Sequence, residues 1–336
     1  MTDGGPPLLS VENVGKTYRV RGSWFSHRTE LSALQDVSFT LRRGETLGIV
    51  GESGCGKSTL ARIVTSLTNP TEGVVRFEGE PLTGISTKAL WRRRRDMQMI
   101  FQDPYSSLNP RMTVGEIVGE PLLNYGLASR YERREKVASL LERVGLRGEH
   151  MVKYPHEFSG GQRQRISIAR ALVLGPKLVV ADEPVAALDV SVQAQVMNLM
   201  RDLQQDLGLA CIFITHDLAM ANFISNSIAV MYLGWIVEIA PADALFANPS
   251  HPYSRALLSA RPSAHPSRRG SQPVPRGEPP NPINPPSGCR YRDRCRHAVE
   301  LCVTQRPQLR EAASGHFVAC HRHDDLSLSL QKEISV

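Results

Sequence analysis

The stretch TLGIVGESGCGKST, residues 46–59, decides the fold class of this chain. Its apolar first half predicts a buried strand, and its second half matches the G-x-x-x-x-G-K-[ST] phosphate loop. The glycines let successive backbone N–H groups turn toward phosphate oxygens, and the following helix adds the positive end of its dipole. In such a loop Lys57 reaches the β- and γ-phosphates, and Ser58 binds Mg²⁺. We therefore expect ATP and Mg²⁺ to bind at the loop residues Gly51, Glu52, Ser53, Gly54, Cys55, Gly56, Lys57, Ser58 and Thr59, with Cys55 contributing no side-chain role.

Two further apolar runs resemble the strand that precedes this loop. They are KLVVAD at residues 177–182 and ACIFITHD at residues 210–217. Continuous apolar runs are typical of parallel strands that are buried on both faces. Between residues 113 and 150, charged and apolar residues recur at helical spacing. These patterns predict an α/β fold, a P-loop domain whose helical subdomain spans about residues 103–170.

An acidic pair ends the second apolar run. Asp182 stands at the carboxyl end of the predicted strand, and Glu183 follows it directly. In nucleotide hydrolysis the first acid of such a pair helps to hold the metal ion, and the second polarises the attacking water. Alone, the pair is also compatible with an ordinary turn at a strand end. Together with the phosphate loop it predicts a nucleotide-hydrolysing site.

The composition excludes several classes of protein. Apolar residues make up 41% of the 336, enough for a substantial core and too many for a disordered chain. No apolar run approaches the ~18 residues of a membrane span, and the first ten residues lack a signal-peptide pattern, so we expect an intracellular chain. The net charge of +7 first suggests nucleic acid or an anionic membrane surface. However, residues 261–336 hold 12 Lys/Arg against 7 Asp/Glu, so most of the excess belongs to the C-terminal end.

The composition changes sharply near residue 261. Residues 261–288 hold nine of the 23 prolines, and such a segment cannot form helix or sheet. We expect it to be an extended linker or wrapping arm. Residues 289–336 follow as a short tail with four of the six cysteines.

The segment FSGGQRQRISIARAL, residues 158–172, places a glycine turn at the start of a predicted helix, where phosphate can bind. It closely resembles the Leu-Ser-Gly-Gly-Gln signature of ABC-type ATPases, with Phe158 in place of leucine. The likeness extends over nearly all of residues 8–260, so the resemblance implies an ABC nucleotide-binding domain over residues 1–260. It also implies that a signature turn contacts nucleotide through Ser159, Gly160, Gly161 and Gln162.

The resemblance implies roles for further single positions. Tyr18 would stack on adenine, and Gln102 would touch Mg²⁺ and the attacking water. His216 would contact the γ-phosphate, and Asp189 would lie in the loop that crosses to the partner's site. The serine usual in that loop is Ala186 here, so the hydrogen bond from its hydroxyl is missing. The catalytic group implied in this way is Glu183, His216 and Gln102, with Ser58, Gln102 and Asp182 around Mg²⁺.

Three segments resemble one branch of the family. They are residues 101–117, 246–260 and 277–295, and all three are similar to the ATP-binding subunits of bacterial oligopeptide and dipeptide importers, a group that includes nickel and glutathione importers. Within the pair of ATPases that such importers use, the chain is more similar to the F-type subunit. The group implies a second, related D-type ATPase, two transmembrane permease subunits and an extracytoplasmic peptide-binding protein. It places the chain on the cytoplasmic face of the bacterial inner membrane as a peripheral subunit.

The tail cysteines Cys289, Cys295, Cys302 and Cys320 have the spacing C-x5-C-x6-C-x17-C. Reduced thiols are expected inside a cell, and four cysteines beside few core-forming residues suggest a metal that staples a small unit. The tight pairs of zinc sites and the C-x2-C pairs of ferredoxins are both absent, so the spacing names no metal. The resemblance adds a [4Fe–4S] cluster as the expectation. Zinc, with His297, His316, His321 or His323 as substitute ligands, and free thiols remain alternatives. Arg290, Arg292, Arg294 and Arg296 crowd the first two thiols and are expected to offset their charge.

Other functions have weaker support. A soluble ABC ATPase acting on nucleic acid or ribosomes would account for the basic run at residues 91–95, but such proteins usually have two fused cassettes or a long coiled-coil insertion. The presence of Glu183 and His216 argues against a degenerate, non-catalytic site. The absence of fused membrane spans argues against an exporter. We therefore expect no nucleic-acid partner.

Overall fold

The computed structural model describes residues 6–20, 29–259, 277, 280–283 and 285–325. Most of the predicted proline-rich arm, and the end of the tail beyond residue 325, lie outside the described residues. The strands of the described part are β1 (Leu9–Val20), β2 (Thr29–Leu41), β3 (Thr46–Val50), β4 (Glu72–Phe77), β5 (Glu80–Pro81), β6 (Met97–Ile100), β7 (Leu178–Asp182), β8 (Ala210–Thr215), β9 (Ser227–Tyr232), β10 (Trp235–Pro241), β11 (Arg310–Ala313) and β12 (His316–Val318). The helices are α1 (Lys57–Val64), α2 (Thr87–Asp96), α3 (Pro104–Ser107), α4 (Val114–Asn124), α5 (Arg130–Arg143), α6 (Gly160–Leu172), α7 (Val190–Leu207), α8 (Leu218–Ile224), α9 (Ala242–Ala247), α10 (Pro252–Ser259) and α11 (Glu300–Thr304).

The larger sheet has eight strands in the order β11-β12-β10-β9-β3-β8-β7-β6. Its centre is parallel, because β3 pairs in parallel with β8 and β9, and β7 pairs in parallel with β8 and β6. Every residue of β3, β7 and β8 is buried, as expected of strands covered on both faces. The three apolar runs of the sequence are thus confirmed as neighbouring parallel strands. Their carboxyl ends meet at one edge, where ligands bind in open α/β sheets.

A second, antiparallel sheet lies against the first and has the order β2-β1-β4-β5. Leu9, Phe77 and Val37 are fully buried in the apolar layer between the sheets, together with Ile49 of β3. Burial of such side chains contributes about 1.5–3 kcal/mol each and fixes the two sheets together. The nucleotide-loop strand β3 is therefore held from both sides.

The helical part follows β6 and comprises α3 to α6. Buried apolar residues of α4, α5 and α6 form one cluster with residues of β7, α7 and β8. Two of these helices begin with complete capping boxes, Thr113 with Glu116 for α4 and Ser129 with Glu132 for α5. Each box satisfies backbone N–H groups that would otherwise lack partners. α6 begins in the same way, with Ser159 and Gln162 as the capping pair.

The described tail is attached to the larger sheet. β12 pairs with β10 through Glu238 and Ile239, and β11 completes the edge. The carboxylate of Glu238 is fully buried and accepts hydrogen bonds from the backbone N–H groups of Ser250 (2.6 Å) and His251 (3.0 Å). His316 of β12 lies 2.7 Å from the same carboxylate. This network joins the tail to the part of the chain that precedes the proline-rich arm.

Among the helices of the described residues, none combines the length and the apolar character that crossing a bilayer requires.

Glu78, just after β4, ties the antiparallel sheet to the larger one. Its carboxylate accepts from Lys177 at 2.9 Å, just before β7, and from Arg93 of α2 at 3.3 Å, and it also pairs with Arg43. Partial burial opposes ionisation, but Lys177 and Arg43 outweigh it and hold the pKa of Glu78 below its ordinary value. A carboxylate with a lowered pKa stabilises the fold at neutral pH, and this contribution is lost as pH falls through the folded-state pKa.

We predict that Glu78→Gln lowers the free energy of unfolding by about 1.5–3 kcal/mol at pH 7, the range for hydrogen bonds to charged groups. The deficit relative to wild type should begin to shrink as pH falls below 4.5, the ordinary value for Glu, and should be smallest below the lower folded-state pKa, because Glu78 is only then protonated in both states. Urea unfolding of both proteins at several pH values measures this. The exposed neighbour Glu80→Gln is the control and should behave as wild type at every pH. A deficit of constant size down to pH 3 would contradict the assignment.

Candidate nucleotide site

The loop between β3 and α1 has the curled backbone that the sequence predicts. Gly54 and Gly56 have φ values of 77° and 107°, which favour glycine, and a Cβ on Gly56 would lie 2.6 Å from the carbonyl oxygen of Ala33. Lys57 is buried, and its ammonium donates to the carbonyl oxygens of Gly51 (2.8 Å) and Glu52 (3.0 Å). The cation therefore lies within the curve of the loop, beside the backbone that phosphate would meet.

Ser58 and Asp182 come together at the start of α1 and the end of β7. The Ser58 hydroxyl donates to Asp182 Oδ1 at 3.2 Å. Burial raises the pKa of Asp182, while the hydrogen bond from Ser58 opposes the rise. A hydroxyl and a carboxylate are the oxygen ligands that Mg²⁺ takes, usually with phosphate oxygens and water completing its shell. This donor pair fits Mg²⁺ that arrives with a nucleotide.

Glu183 is the meeting point of three strand ends. Gln102 Nε2, after β6, donates to its Oε2 at 3.2 Å, and His216 Nδ1, after β8, lies 3.3 Å from the same oxygen. Glu183 has a positive φ of 46°, a strained conformation for a residue with a side chain, and its N–H donates to the Ile214 carbonyl. Such strain persists where the surroundings hold it and is common at functional sites. The structure thus brings together the three residues that were predicted as catalytic.

Most of these groups border one cavity of about 560 Å³, whereas Gly51, Glu52, Cys55 and Asp182 are not among its lining residues. Its volume lies within the range of ~300–1,000 Å³ that is typical of small-molecule sites. Tyr18 lines it at one side, half-buried, with the ammonium of Lys16 5.2 Å from its ring centroid. Pro282, from the arm that precedes the tail, also lines it. Of the predicted site residues, the structure brings to this cavity Tyr18, Ser53, Gly54, Gly56, Lys57, Ser58, Thr59, Gln102, Glu183 and His216.

The signature turn and Asp189 lie away from this cavity within the chain. Ser159 is exposed at the start of α6, and Asp189 is exposed at the start of α7. Their two helices pack together, since a Cβ on Gly161 would lie 2.3 Å from Val192 Cγ1. The two predicted elements therefore form one surface, which in a single chain does not line the cavity.

The structure differs from the expectation that the tail arginines offset charge on the thiols. Arg290 donates to the Leu233 carbonyl and to Gln35, and its guanidinium lies 4.4 Å from the Trp235 ring centroid. Arg294 pairs with Glu52 of the phosphate loop. The expectation that both offset charge on the thiols is therefore wrong, because both guanidinium groups are used on the ATPase body. Arg296 and Arg322 are the cations that act on Cys295 and oppose the burial that raises its pKa.

Two residues that contact Glu52 are not identified by any pattern in the sequence. Arg294 is 242 positions away in the chain, and the Tyr253 hydroxyl accepts from the Glu52 N–H at 3.0 Å across 201 positions. No local pattern signals contacts of that separation. Only the fold of the tail onto the body reveals them.

The four tail cysteines line a single small cavity, together with His251, His297 and His321. Burial raises the pKa of Cys289 to about 12, and nearby Cys302, Cys320 and Cys295 add to this rise. Three of the suggested zinc-ligand histidines have other partners: His316 contacts Glu238, His323 contacts Arg310 and Asp324, and His321 Nε2 lies 3.0 Å from the Gln305 carbonyl oxygen. Within the described ranges, no group of three or more His, Cys, Asp or Glu residues is arranged to hold a metal ion. The structure therefore shows four thiols around one cavity, and the described residues give no support to a bound metal, either a single ion or a cluster.

Comparison with protein families gives two matches. Residues 34–186 match the ABC transporter family, and residues 237–302 match the C-terminal region of oligopeptide/dipeptide transporters. The dipeptide transport ATP-binding protein DppF of Haemophilus influenzae is 50% identical over 320 residues, which cover 95% of this chain and 97% of the relative. The di/tripeptide transport ATP-binding protein DppF of Pseudomonas aeruginosa is 49% identical over 314 residues, which cover 94% and 97%.

Solved structures agree in fold. The dimeric ATP-binding cassette MJ0796, in a post-hydrolysis state bound to ADP and Pi, has a TM-score of 0.62 and 32% identity, covering 70% of this chain and 98% of that one. The cassette cbiO1 of Clostridium perfringens, part of a cbiONQ transporter complex, has a TM-score of 0.61 and 29% identity, covering 72% and 91%.

Proposed function

This chain belongs to the ATP-binding proteins of ABC transporters, and from that membership we propose that it hydrolyses ATP to drive the import of peptides. The observation that carries the proposal is the contact of Glu183 with Gln102 and His216 beside the phosphate loop. The family match of the tail region supports the peptide-import branch, and the F-type ATPase subunit in particular.

The residues of the cavity divide the chemistry between them. Lys57 and the loop N–H groups bind the β- and γ-phosphates, and Tyr18 stacks on the adenine. Glu183 orients the attacking water and accepts its proton, because its carboxylate is close to both Gln102 and His216. Gln102 links the nucleotide site to the helical part, which begins two residues later with α3. A conformational change at the site is transmitted to the helical part through this residue. His216 faces the γ-phosphate.

Magnesium belongs to this site through Ser58 and Asp182, with Gln102 nearby. Their oxygen atoms are the ligand type that Mg²⁺ prefers, and the pair lies 3.2 Å apart. Ser58 and Asp182 would hold Mg²⁺ that arrives with the nucleotide, and the ion would supply positive charge that offsets the charge of the phosphates.

A second ATPase completes the catalytic unit. Ser159, Gly160, Gly161 and Gln162 read the γ-phosphate in the partner's site, and Asp189 crosses the same interface. This role is supported by the position of both elements on one exposed surface away from the chain's own cavity. Closure of two such subunits on ATP, followed by reopening after hydrolysis, produces a rigid-body motion that moves attached membrane subunits.

The partners follow from this role. The second ATPase is a related D-type chain, and the motion is delivered to two transmembrane permease subunits, which receive cargo from an extracytoplasmic peptide-binding protein. The chain acts at the cytoplasmic face of the membrane as a peripheral subunit. Residues 1–260 form the ATPase, residues 261–288 the connecting arm and residues 289–336 the tail. Nickel and glutathione-like solutes are the alternative cargoes.

We also propose that Cys289, Cys295, Cys302 and Cys320 are the ligands of a [4Fe–4S] cluster. Four thiols that line one cavity are the donor set of such a cluster. Within the described residues no group of three or more ligands is arranged to hold a metal ion, so the proposal rests on the four thiols that share one cavity. A cluster would staple this small unit and bind the cysteines as thiolates, whereas burial alone raises the pKa of Cys289, Cys295 and Cys320 and keeps them as thiols.

The catalytic assignment predicts the behaviour of Glu183→Gln. The amide keeps the shape of the side chain but cannot accept a proton, so hydrolysis by the assembled transporter should fall by about 10²- to 10⁴-fold. Mg·ATP affinity should stay within a few-fold of wild type, because the phosphate loop is intact. Phosphate release and equilibrium nucleotide binding measure the two effects. The control Glu149→Gln changes a side chain that is 67% exposed and should leave both unchanged; undiminished hydrolysis by Glu183→Gln would refute the assignment.

The cluster predicts that anaerobically purified protein is brown and contains iron and acid-labile sulfide in equal amounts. Cys295→Ser should lose most of the visible absorption and the iron, since one of four ligands is gone. Cys211→Ser, in the buried strand β8, is the control and should keep both. Colourless wild-type protein with stoichiometric zinc, or with no metal, would overturn the cluster.

A further inference from the structure

The tail contacts the phosphate loop through an ion pair. Arg294 donates two parallel hydrogen bonds to the Glu52 carboxylate, Nη1 to Oε2 at 2.9 Å and Nη2 to Oε1 at 3.0 Å. The Arg294 side chain is only 7% exposed and that of Glu52 25%. Bidentate pairs of this kind are the stronger and more directional hydrogen bonds of proteins. The contact therefore fixes both the position and the orientation of the Glu52 side chain.

An aromatic pocket surrounds this pair. The Arg294 guanidinium lies 5.8 Å from the ring centroid of Tyr232 and 5.9 Å from that of Tyr291. The ring of Tyr253 packs on both, with centroid distances of 4.7 and 5.3 Å. The Tyr253 hydroxyl accepts the Glu52 N–H at 3.0 Å. Glu52 is thus held at its carboxylate by the tail and at its backbone by α10.

The backbone carbonyl of Glu52 faces the inside of the phosphate loop. Its carbonyl oxygen accepts from Lys57 Nζ at 3.0 Å and from the Cys55 N–H at 3.3 Å. Anchoring Glu52 from behind therefore sets the direction of the loop backbone that Lys57 contacts. A loop held in its binding geometry loses less conformational entropy when a ligand arrives.

The tail reaches the same cavity at other points. Arg290 donates to the carbonyl of Leu233, and Leu233 and Gly234 line the cavity. The Gly234 N–H in turn donates to the Cys55 carbonyl of the loop at 2.8 Å. Pro282 of the arm forms another part of the wall. Pro282, Arg290 and Arg294 therefore belong to the surroundings of the nucleotide site.

We propose that Arg294 is a positioning residue for nucleotide binding, and that through Glu52 it holds the phosphate loop ready for the triphosphate of a nucleotide. It is not among the residues that line the cavity, and its contact with the phosphate loop is the pair with Glu52; it also lies 3.5 Å from the Tyr232 hydroxyl. The inference rests on the proposed function, because it concerns the same ATP site. The tail then contributes to nucleotide binding at that site.

The position of Arg294 in the chain links this contact to the cysteine cavity. It ends a single helical turn, Arg292–Arg294, that lies between two of the thiols: the Arg292 N–H donates to the Cys289 carbonyl and the Cys295 N–H to the Arg292 carbonyl. Anything that orders these thiols also orders the turn that presents Arg294.

The test titrates Mg·ATP into the full-length chain and its variants. Arg294→Met should weaken binding by about 10- to 100-fold, the loss expected when a charge-assisted hydrogen-bonded pair is broken. Arg294→Lys keeps the charge without the fork and should recover part of the affinity. Arg310→Met alters an exposed tail arginine on β11 and should bind as wild type. In the assembled transporter, Arg294→Met should raise KM for ATP and leave kcat within a few-fold.

A double-variant cycle tests whether Arg294 acts through Glu52. Glu52→Gln alone should weaken Mg·ATP binding, and adding it to Arg294→Met should weaken it no further, because one interaction is removed twice. Additive losses, or wild-type affinity in folded Arg294→Met, would overturn the inference. If Arg294→Met does not fold, Arg294→Lys and Glu52→Gln decide the question in the same way. A wild-type chain that fails to bind Mg·ATP would instead overturn the proposed function.

Discussion

The parallel pairing of β6, β7, β8 and β3 is the constraint on which the site depends. Each of these strands ends at the same edge of the sheet, and each is followed by a residue of the site: Gln102, Glu183, His216 and the phosphate loop. A register shift of one residue would turn every buried side chain of a strand to the opposite face. The burial of β3, β7 and β8 on both sides therefore fixes the chemistry as well as the fold.

The sequence predicts much of this arrangement, because its signals are local. Apolar runs that end in Gly51, Asp182 and His216 identify buried strands and their carboxyl ends, and the loop motif identifies the ligand class. The contacts of Glu183 with Gln102 and His216 join residues 81 and 33 positions apart, so they require the strand order to be known. The pair of Arg294 and Glu52 lies beyond any such pattern, and charge counting alone assigned Arg294 to the thiols.

The tail changes how the domain is understood. Composition suggests a separate stapled unit after a proline-rich arm, yet β12 extends the main sheet and the buried carboxylate of Glu238 binds both His316 of the tail and the backbone before α10. The same surface carries Arg294 to the phosphate loop. The basic residues of the tail are thus partly structural cations of the ATPase. A cluster bound by the four thiols would stabilise the helical turn that presents Arg294 to the phosphate loop.

The central claim is that this ATPase works in a peptide importer, and co-purification tests it most directly. A tagged chain recovered from detergent-solubilised membranes and identified by mass spectrometry should bring a second ATPase and two permease subunits. When that complex is reconstituted with its binding protein, di- and oligopeptides should stimulate its ATP hydrolysis. Recovery of ribosomes or nucleic acid without membrane subunits, or hydrolysis that no peptide stimulates, would contradict the account.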